Sequence, residues 1–146
     1  MEKIAEAKVH ELVEDEGWIN AGIIIEVQGN DEKHTKKSLT EMVERLSKEQ
    51  GIKIYEANYA DLEKLKENWF SLHVDVKFVA KDFNKLVHVA LLYSPSAAEI
   101  LAPSKEIKLP IGDAQNLMID IANVVTRLAH TVFAQQGMLQ KAQKTK

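Results

Sequence analysis

The segment WFSLHVDVKFVA, residues 69–80, alternates apolar and polar side chains more regularly than any other part of the chain. Successive side chains of a β-strand point to opposite faces, so an extended segment places one apolar set on one face. That set is Phe70, Leu72, Val74, Val76 and Phe78. The pattern predicts a half-buried strand, and every other element has to be placed with respect to its apolar face.

Two earlier segments also carry the signature of a strand. In WINAGIIIEVQG, residues 18–29, the β-branched residues Ile23, Ile25 and Val27 recur with a period of two, and IKIYEANY, residues 52–59, follows after Gly51. Between them, residues 31–50 have the helical period, with an apolar face opposite Lys and Glu. Residues 29–31 supply the turn and the helix N-cap. The polar segment 60–68 fits a helical turn or a loop.

The second half of the chain repeats this alternation of helix and strand. Asp82 is a suitable cap for a helix with an apolar stripe from Phe83 to Leu91. Ser94 and Pro95 end that helix, because proline lacks the N–H that continues the ladder and disfavours helix at the preceding residue. The segment AAEILA, residues 97–102, then reads as a short strand, and Pro103 ends it.

The order strand, helix, strand, strand, helix, strand predicts an α+β fold. Residues 18–103 match the ferredoxin-like βαββαβ unit, in which two helices pack on one face of a four-stranded antiparallel sheet. We expect a short N-terminal helix over 2–16, a long C-terminal helix over 113–136, and a frayed tail over 137–146 that begins at Gly137. With 146 residues, the whole chain is expected to form one domain.

Composition excludes several classes of function. Nineteen basic and 22 acidic residues give a net charge of −3, which provides no broad field for nucleic acid. The chain has no cysteine, so disulfides, thiolate catalysis and cysteine-bound metals are excluded. Its charged start lacks the apolar core of a secretory signal, and no apolar run approaches the roughly 20 residues of a membrane span. These features predict a cytoplasmic protein with neither a nucleic-acid nor a membrane partner.

One face of the sheet offers a candidate site. His73 and Asp75 are two residues apart on the third strand and share the face opposite the helices, together with Glu26 and Tyr55. Such a group has the chemistry to bind a metal or to exchange protons. The alternative is an ordinary polar face, which antiparallel sheets commonly have. We therefore assign no catalytic residue, metal ligand or cofactor, and expect that the protein is not an enzyme.

The loop after the first strand is a second, weaker candidate. Asn30 and Asp31 precede a helix, and helix N-termini bind anions. Asp31 and Glu32 already bring carboxylates to that position, so a simple cap is the favoured interpretation. Trp18 and Trp69 each begin a strand and are expected to seal the edges of the core.

The C-terminal helix carries a seam of apolar residues with spacings of three and four. The seam consists of Met118, Ile121, Val125, Leu128 and Val132. About two heptads are too few to establish a coiled coil. The seam either packs on the bare face of its own sheet or pairs with another copy. Self-association, as a homodimer or larger species, is the partner that we expect.

The segment from Tyr93 to Pro103 resembles small uncharacterised archaeal ferredoxin-like proteins. In those proteins a helix ends in a Tyr-Gly-Pro-Ser-like turn, a strand reading Val-Glu-Ile-Leu-Glu-Pro follows, and a further helix comes next. Here the turn is Tyr93-Ser94-Pro95-Ser96, with Ser94 in place of the glycine, and the strand reads AEILAP. The resemblance covers about the last 80 residues and implies the fold but no activity.

The chain is also similar to ACT-type regulatory domains. They share the βαββαβ order and often have a Gly-Ile-x-Ile second strand, which is GIKI, residues 51–54, in this chain. Their first turn typically reads Asp-x-x-Gly or Asp-Pro-Gly, whereas this chain has GNDE at residues 29–32. The similarity implies a small-ligand sensor with its ligand near Asn30 and Asp31.

Three functions thus follow from the sequence. The first is a small interaction or regulatory module that acts through self-association. The second is an ACT-like sensor of a small ligand, and the third is a small metal- or acid/base-dependent enzyme on the open sheet face.

Overall fold

A computed structural model describes residues 1–145 of the chain. It contains nine elements: α1 (Glu6–Glu14), β1 (Ile19–Gly29), α2 (Glu32–Ser47), β2 (Ile52–Tyr59), β3 (Glu63–Lys66), β4 (Trp69–Ala80), α3 (Phe83–Tyr93), β5 (Ala97–Ala102) and α4 (Ile111–Lys144). They form two compact units, one from Met1 to Ile107 and one from Lys108 onward. That residues 1–146 form one domain stays a prediction.

The first unit has the predicted α+β ferredoxin-like fold. Its antiparallel sheet is open and has the strand order β2-β4-β1-β5. The strands before and after α2, β1 and β2, are separated by β4, and the strands before and after α3, β4 and β5, are separated by β1. This is the arrangement that the βαββαβ topology requires. The register places Ile23 opposite Val76 and Ile25 opposite Val74. The apolar side chains of β1 and β4 therefore lie on the same face of the sheet. A shift of the register by one residue would move one of the two sets to the other face, so the apolar pattern specifies this pairing.

The main core lies on this face, between the sheet and the two long helices of the unit. Phe78 is fully buried at its centre, next to Leu39 and Leu46 of α2 and Val89 of α3. The core arises because the period-two stripe of the strands faces the period-3.6 stripe of α2. On α3 the buried residues are Val89 and Tyr93, so the predicted apolar stripe from Phe83 to Leu91 is not the face that the core buries.

The predicted N-caps of α2 and α3 and the predicted end of α3 are confirmed, whereas α2 ends at Ser47, before the predicted residue 50. The Asp31 side chain accepts a 2.6 Å hydrogen bond from the backbone N–H of His34, and Asp82 accepts one of 2.8 Å from Lys85. Helix α3 ends at Tyr93, and Ser94 adopts the left-handed conformation with φ 43° and ψ 54°. A non-glycine residue in this conformation carries a steric cost. The resembling proteins have a glycine at this position.

Strand β3 differs from the expectation. The segment 60–68 was predicted to be a helical turn or a loop, but Glu63–Lys66 pairs antiparallel with the start of β4, after a turn at Asn68. All four β3 residues are exposed, so no apolar alternation marks them. They form a strand because β4 is longer than β2 and offers unpaired backbone groups beyond its end.

Helix α1 packs on the opposite face of the sheet. It is shorter than the predicted 2–16, and its Val9 and Leu12 are buried against Val79 of β4, with Trp18 and Tyr55 beside them. Trp18 therefore seals a core edge as predicted. Trp69 does not, because 42% of it is exposed.

The second unit consists of α4 and the segment that leads into it. This helix has 34 residues and runs to Lys144, so the prediction that it ends near residue 136 is wrong. Gly137 continues the helix: an exposed helical glycine costs only about 1 kcal/mol, and the residues around it are good helix formers. Residue 146, the last of the tail that was expected to fray, lies outside the described residues.

Candidate functional site

The sheet face opposite α2 and α3 is divided into two halves. Helix α1 covers the half around Val79. The other half, called here the open half of the sheet, presents Glu26, Gln28, Ser71, His73 and Asp75. These residues share one face because they occupy alternate positions of β1 and β4.

Glu26 is the centre of a hydrogen-bond network on the open half. Its Oε1 accepts bonds of 2.7 Å from Ser71 Oγ and 3.0 Å from Gln28 Nε2, and Gln28 Oε1 accepts one of 3.3 Å from Trp69 Nε1. The bonds from Gln28 and Ser71 lower the pKa of the Glu26 carboxyl, and the nearby His73 lowers it further. The side chain is therefore a carboxylate at neutral pH, suited to accept hydrogen bonds rather than to act as a general acid.

The predicted site residues are only partly brought together. Glu26 lies directly opposite His73 in the register, and Asp75 lies between Ile24 and Asn58. Within residues 1–145, no group of three His, Cys, Asp or Glu side chains stands close enough to hold a metal ion. The open half thus provides hydrogen-bonding groups on a flat surface rather than a metal cage.

Tyr55 belongs to the covered half instead. Its hydroxyl donates a 2.9 Å hydrogen bond to Asn20 Oδ1, and its ring packs with α1 against Val79. Val79 is six positions from His73 along β4, which is about 20 Å along a strand. Tyr55 therefore lies too far from His73 to act together with it.

An ion pair that the sequence did not indicate lies beside the open half. Lys77 Nζ donates a 3.0 Å hydrogen bond to Glu56 Oε1, to which Asn58 also donates, at 2.6 Å. The contact lowers the pKa of Glu56 and raises the pKa of Lys77. A shallow groove of about 430 Å³ runs from Lys77 and Asp75 across Ile24 to Glu99 and Leu101 of β5.

The predicted ligand residues Asn30 and Asp31 lie at the start of α2. Asp31 is engaged at both polar groups: its carboxylate caps the helix, and its carbonyl oxygen accepts a 2.7 Å bond from Thr35 Oγ1. Asn30 is exposed. The geometry accounts for Asp31 as a cap, and a role in ligand binding stays a prediction.

Helix α4 presents the largest exposed apolar surface. No residue of the helix is buried, and all five seam residues are exposed, among them Leu128 at 61%. Because the helix runs from residue 111 to residue 144, the spacing of three and four continues beyond the predicted seam. It adds Ile111 and Ala114 before the seam and Leu139 and Ala142 after it, with the polar Gln135 in between. The uninterrupted apolar pattern then covers about three heptads instead of two.

A polar stripe follows the opposite side of α4. Its residues have spacings of three and four as well: Asp113, Asn116, Asp120, Asn123, Arg127 and His130. By length and composition alone α4 is apolar enough to cross a membrane, so the expectation that no segment approaches this range is wrong. Cytoplasmic localisation and the absence of a membrane partner stay predictions.

Comparison with known proteins identifies a family. A family model, described as the MJ0538 family, matches residues 20–108. The chain belongs to the MJ0538 family. The match covers β1 to β5 and ends before α4, whereas the resemblance noted in the sequence was placed on the last 80 residues. The family is named for an archaeal protein and its function is uncharacterised.

The other two comparisons add no relative. Neither the curated proteins nor the solved structures contain a match to the chain. The similarity to ACT-type domains is not shown by any of the comparisons. What the chain does therefore has to be inferred from its own surfaces.

Proposed function

We propose that this member of the MJ0538 family is an interaction module that self-associates through α4 and is not an enzyme. The observation that carries the proposal is the 34-residue helix without a single buried residue, whose apolar positions recur every three and four residues. In proteins, most helical stability comes from packing an apolar face rather than from intrinsic propensity. A second copy of α4 supplies such a packing surface.

The residue types along α4 support packing between helices. Val125 and Val132 at one heptad position and Leu128 at the other favour two-stranded association, whereas Ile121, at the same heptad position as Leu128, does not. The flanking positions are apolar or small rather than charged, as at Val124 and Ala129. The apolar face is therefore wide, which is compatible with larger helix bundles as well as a dimer.

The polar stripe argues against a membrane as the partner of α4. Asp120 and Arg127 lie within the most apolar part of the helix, and each costs about 2.5–3.5 kcal/mol at the centre of a bilayer. Helices that lie on a membrane surface carry Lys and Arg on their polar face, whereas this stripe has two Asp and one Arg. A cytoplasmic, membrane-free protein is the consequence of this proposal.

The test measures the mass of the full chain by light scattering on a sizing column over a range of concentrations. We expect a dimer or larger species, and Leu128→Glu should weaken association at least about 100-fold. The reason is that each of two copies loses burial of one leucine, worth about 1.5–3 kcal/mol, and buries a charge instead.

Thr126→Glu is the matched control. It adds the same charge to the same helix, two residues away and on the side opposite Leu128, and should leave the mass unchanged. A wild-type chain that stays monomeric at micromolar concentration and floats with vesicles of neutral lipid would overturn the proposal in favour of membrane binding.

Two other functions are compatible with the fold but have less support. For an ACT-like sensor near Asn30 and Asp31, the carboxylate of Asp31 is already used as a cap. For an enzyme on the open half, the lowered pKa of Glu26 removes its use as an acid at neutral pH. A thermal-shift screen of amino acids and nucleotides, with His73→Ala in parallel, addresses both.

A further inference from the structure

The two edges of the sheet are protected to different degrees. At the β2 edge, the backbone N–H of Ile4 donates a 3.0 Å hydrogen bond to the carbonyl oxygen of Ile54, a β-bulge follows, and Lys53 is exposed. A covering segment, a bulge and an edge lysine are the devices that prevent edge-to-edge pairing.

The β5 edge has only one of these devices, a β-bulge at Leu101 close to the end of the strand, and it carries no lysine. Ala97–Leu101 are all exposed, and the strand AAEILA contains one charge, Glu99. Within residues 1–145, no backbone hydrogen bond from another segment reaches β5 apart from its pairing with β1. An exposed apolar strand of this kind is a template for pairing with another chain.

The apolar surface continues from β5 onto α3. Ile100, which is 42% exposed, lines a groove of about 240 Å³ together with Leu86, Val87 and Ala90 of α3. Leu92 on the same helix is 50% exposed. The core layer between sheet and helices is thus open at this edge, and a neighbour that extends the sheet would also extend the core.

We infer that β5 pairs antiparallel with β5 of a second copy of this chain. The β5 edge is complementary to itself under a two-fold axis normal to the sheet. Each copy presents unpaired backbone N–H and C=O groups, and the axis brings the N–H groups of one copy opposite the C=O groups of the other. Because the β2 edge is blocked, such pairing stops at two copies and joins the two sheets without forming a fibre.

Side-chain direction restricts the register. Residues directly opposite each other in an antiparallel pair point to the same face, so the two-fold axis has to pass beside a residue rather than between two. An axis at Glu99 would place two carboxylates opposite each other, which is destabilising. An axis at Ile100 pairs Ile100 with its own copy on the α3 side and extends the apolar layer, so this register is the one inferred.

The inference that β5 strands pair rests on the proposed function, because the β5 contact alone is weak and needs association through α4. Six strand residues span about 20 Å, which makes the contact small beside the roughly 800 Å² per partner of standard interfaces. Association through α4 would hold two β5 strands at an effective concentration in the millimolar range, as short flexible connections do. A weak edge contact is then sufficient for pairing.

The chain has no cysteine, so a single introduced cysteine gives an unambiguous cross-link. In the inferred register, the two Cα atoms at position 100 are about 4.5–5.5 Å apart, which is within the range of about 4.4–6.8 Å for a disulfide. Ile100→Cys should therefore form a disulfide-linked dimer under mild oxidation at least about tenfold faster than Lys53→Cys, the control on the blocked edge.

The outcomes separate this inference from the α4 proposal. Equal cross-linking rates for Ile100→Cys and Lys53→Cys, in a chain that light scattering shows to be oligomeric, would overturn β5 pairing and leave the role of α4 intact. Faster cross-linking of Ala98→Cys than of Ile100→Cys would overturn the register. In Ile100→Cys combined with Leu128→Glu, cross-linking should slow at micromolar concentration and recover near millimolar concentration.

Discussion

The hydroxyl of Tyr93 provides a test of how α2 and α3 are joined. Tyr93 is the last residue of α3 and only 3% exposed, and its hydroxyl donates a 3.0 Å hydrogen bond to Glu49 Oε1, just after α2. Burial raises the pKa of Tyr93 to about 12, and the hydrogen bond to Glu49 and its charge add to the effect. Tyr93→Phe removes the hydroxyl and keeps the ring.

The sign of the pH dependence follows from proton linkage. The unfolded chain loses the tyrosine proton near pH 10, whereas the native chain keeps it until about pH 12. The stabilisation is complete below pH 10 and is lost as the pH rises through the folded pKa. Two pKa units correspond to about 3 kcal/mol in total, of which about half is lost by pH 11. At neutral pH the variant should lose about 1 kcal/mol, the value of one hydrogen bond.

Urea unfolding followed by circular dichroism at pH 8, 9, 10 and 11 measures both effects. The free energy of unfolding of the wild type should exceed that of Tyr93→Phe by about 1 kcal/mol at pH 8, and the difference should vanish or reverse by pH 11. Lysine titration is common to both proteins and cancels. Tyr55→Phe is the control, because it removes a hydroxyl that donates a hydrogen bond to the uncharged Asn20 and it keeps Tyr93. Parallel pH profiles for wild type and Tyr93→Phe would refute the assigned contact.

Two further predictions concern helix ends. Ser94→Gly should raise the free energy of unfolding, measured in urea, by up to about 1 kcal/mol. The reason is that glycine adopts the left-handed conformation at φ 43° without the steric cost that serine carries. An unchanged or lower free energy of unfolding would contradict this prediction. Asp31→Ala should lower it by about 1 kcal/mol through loss of the N-cap, and Asp31→Asn should restore most of the loss. A ligand-induced thermal shift that Asp31→Asn abolishes without changing stability would instead indicate a binding role.

The elements with one apolar face were predictable from the sequence. Phe78 and Val76 in β4, and Leu39 and Leu46 in α2, repeat with the period of their element because the same core buries them. The caps Asp31 and Asp82 were predictable for a related reason: each is a short acidic side chain just before an apolar stripe. Local pattern and tertiary burial agree at these positions.

The open half of the sheet could be predicted only in part. The alternation placed Glu26 and His73 on one face, but the bond between Ser71 and Glu26 joins residues 45 positions apart and depends on the register. The β-bulge between Ile54 and Glu56 leaves no mark in the sequence. One signal was overlooked: Val79 is apolar on the face where Ser71, His73 and Lys77 are polar, and it marks the place where α1 packs.

The two proposed surfaces together determine the size of the assembly. Each is self-complementary, so each has its own two-fold axis. If the axes coincide, the assembly closes at two copies, with a mass of about 33 kDa for a chain of 16.5 kDa. If they cross at a right angle, it closes at four copies, and if they neither coincide nor cross, it grows with concentration. In each of these three cases, Leu128→Glu should reduce the assembly to a weak dimer that is joined by β5 alone. A variant mass equal to that of the wild type would show that α4 joins no copies.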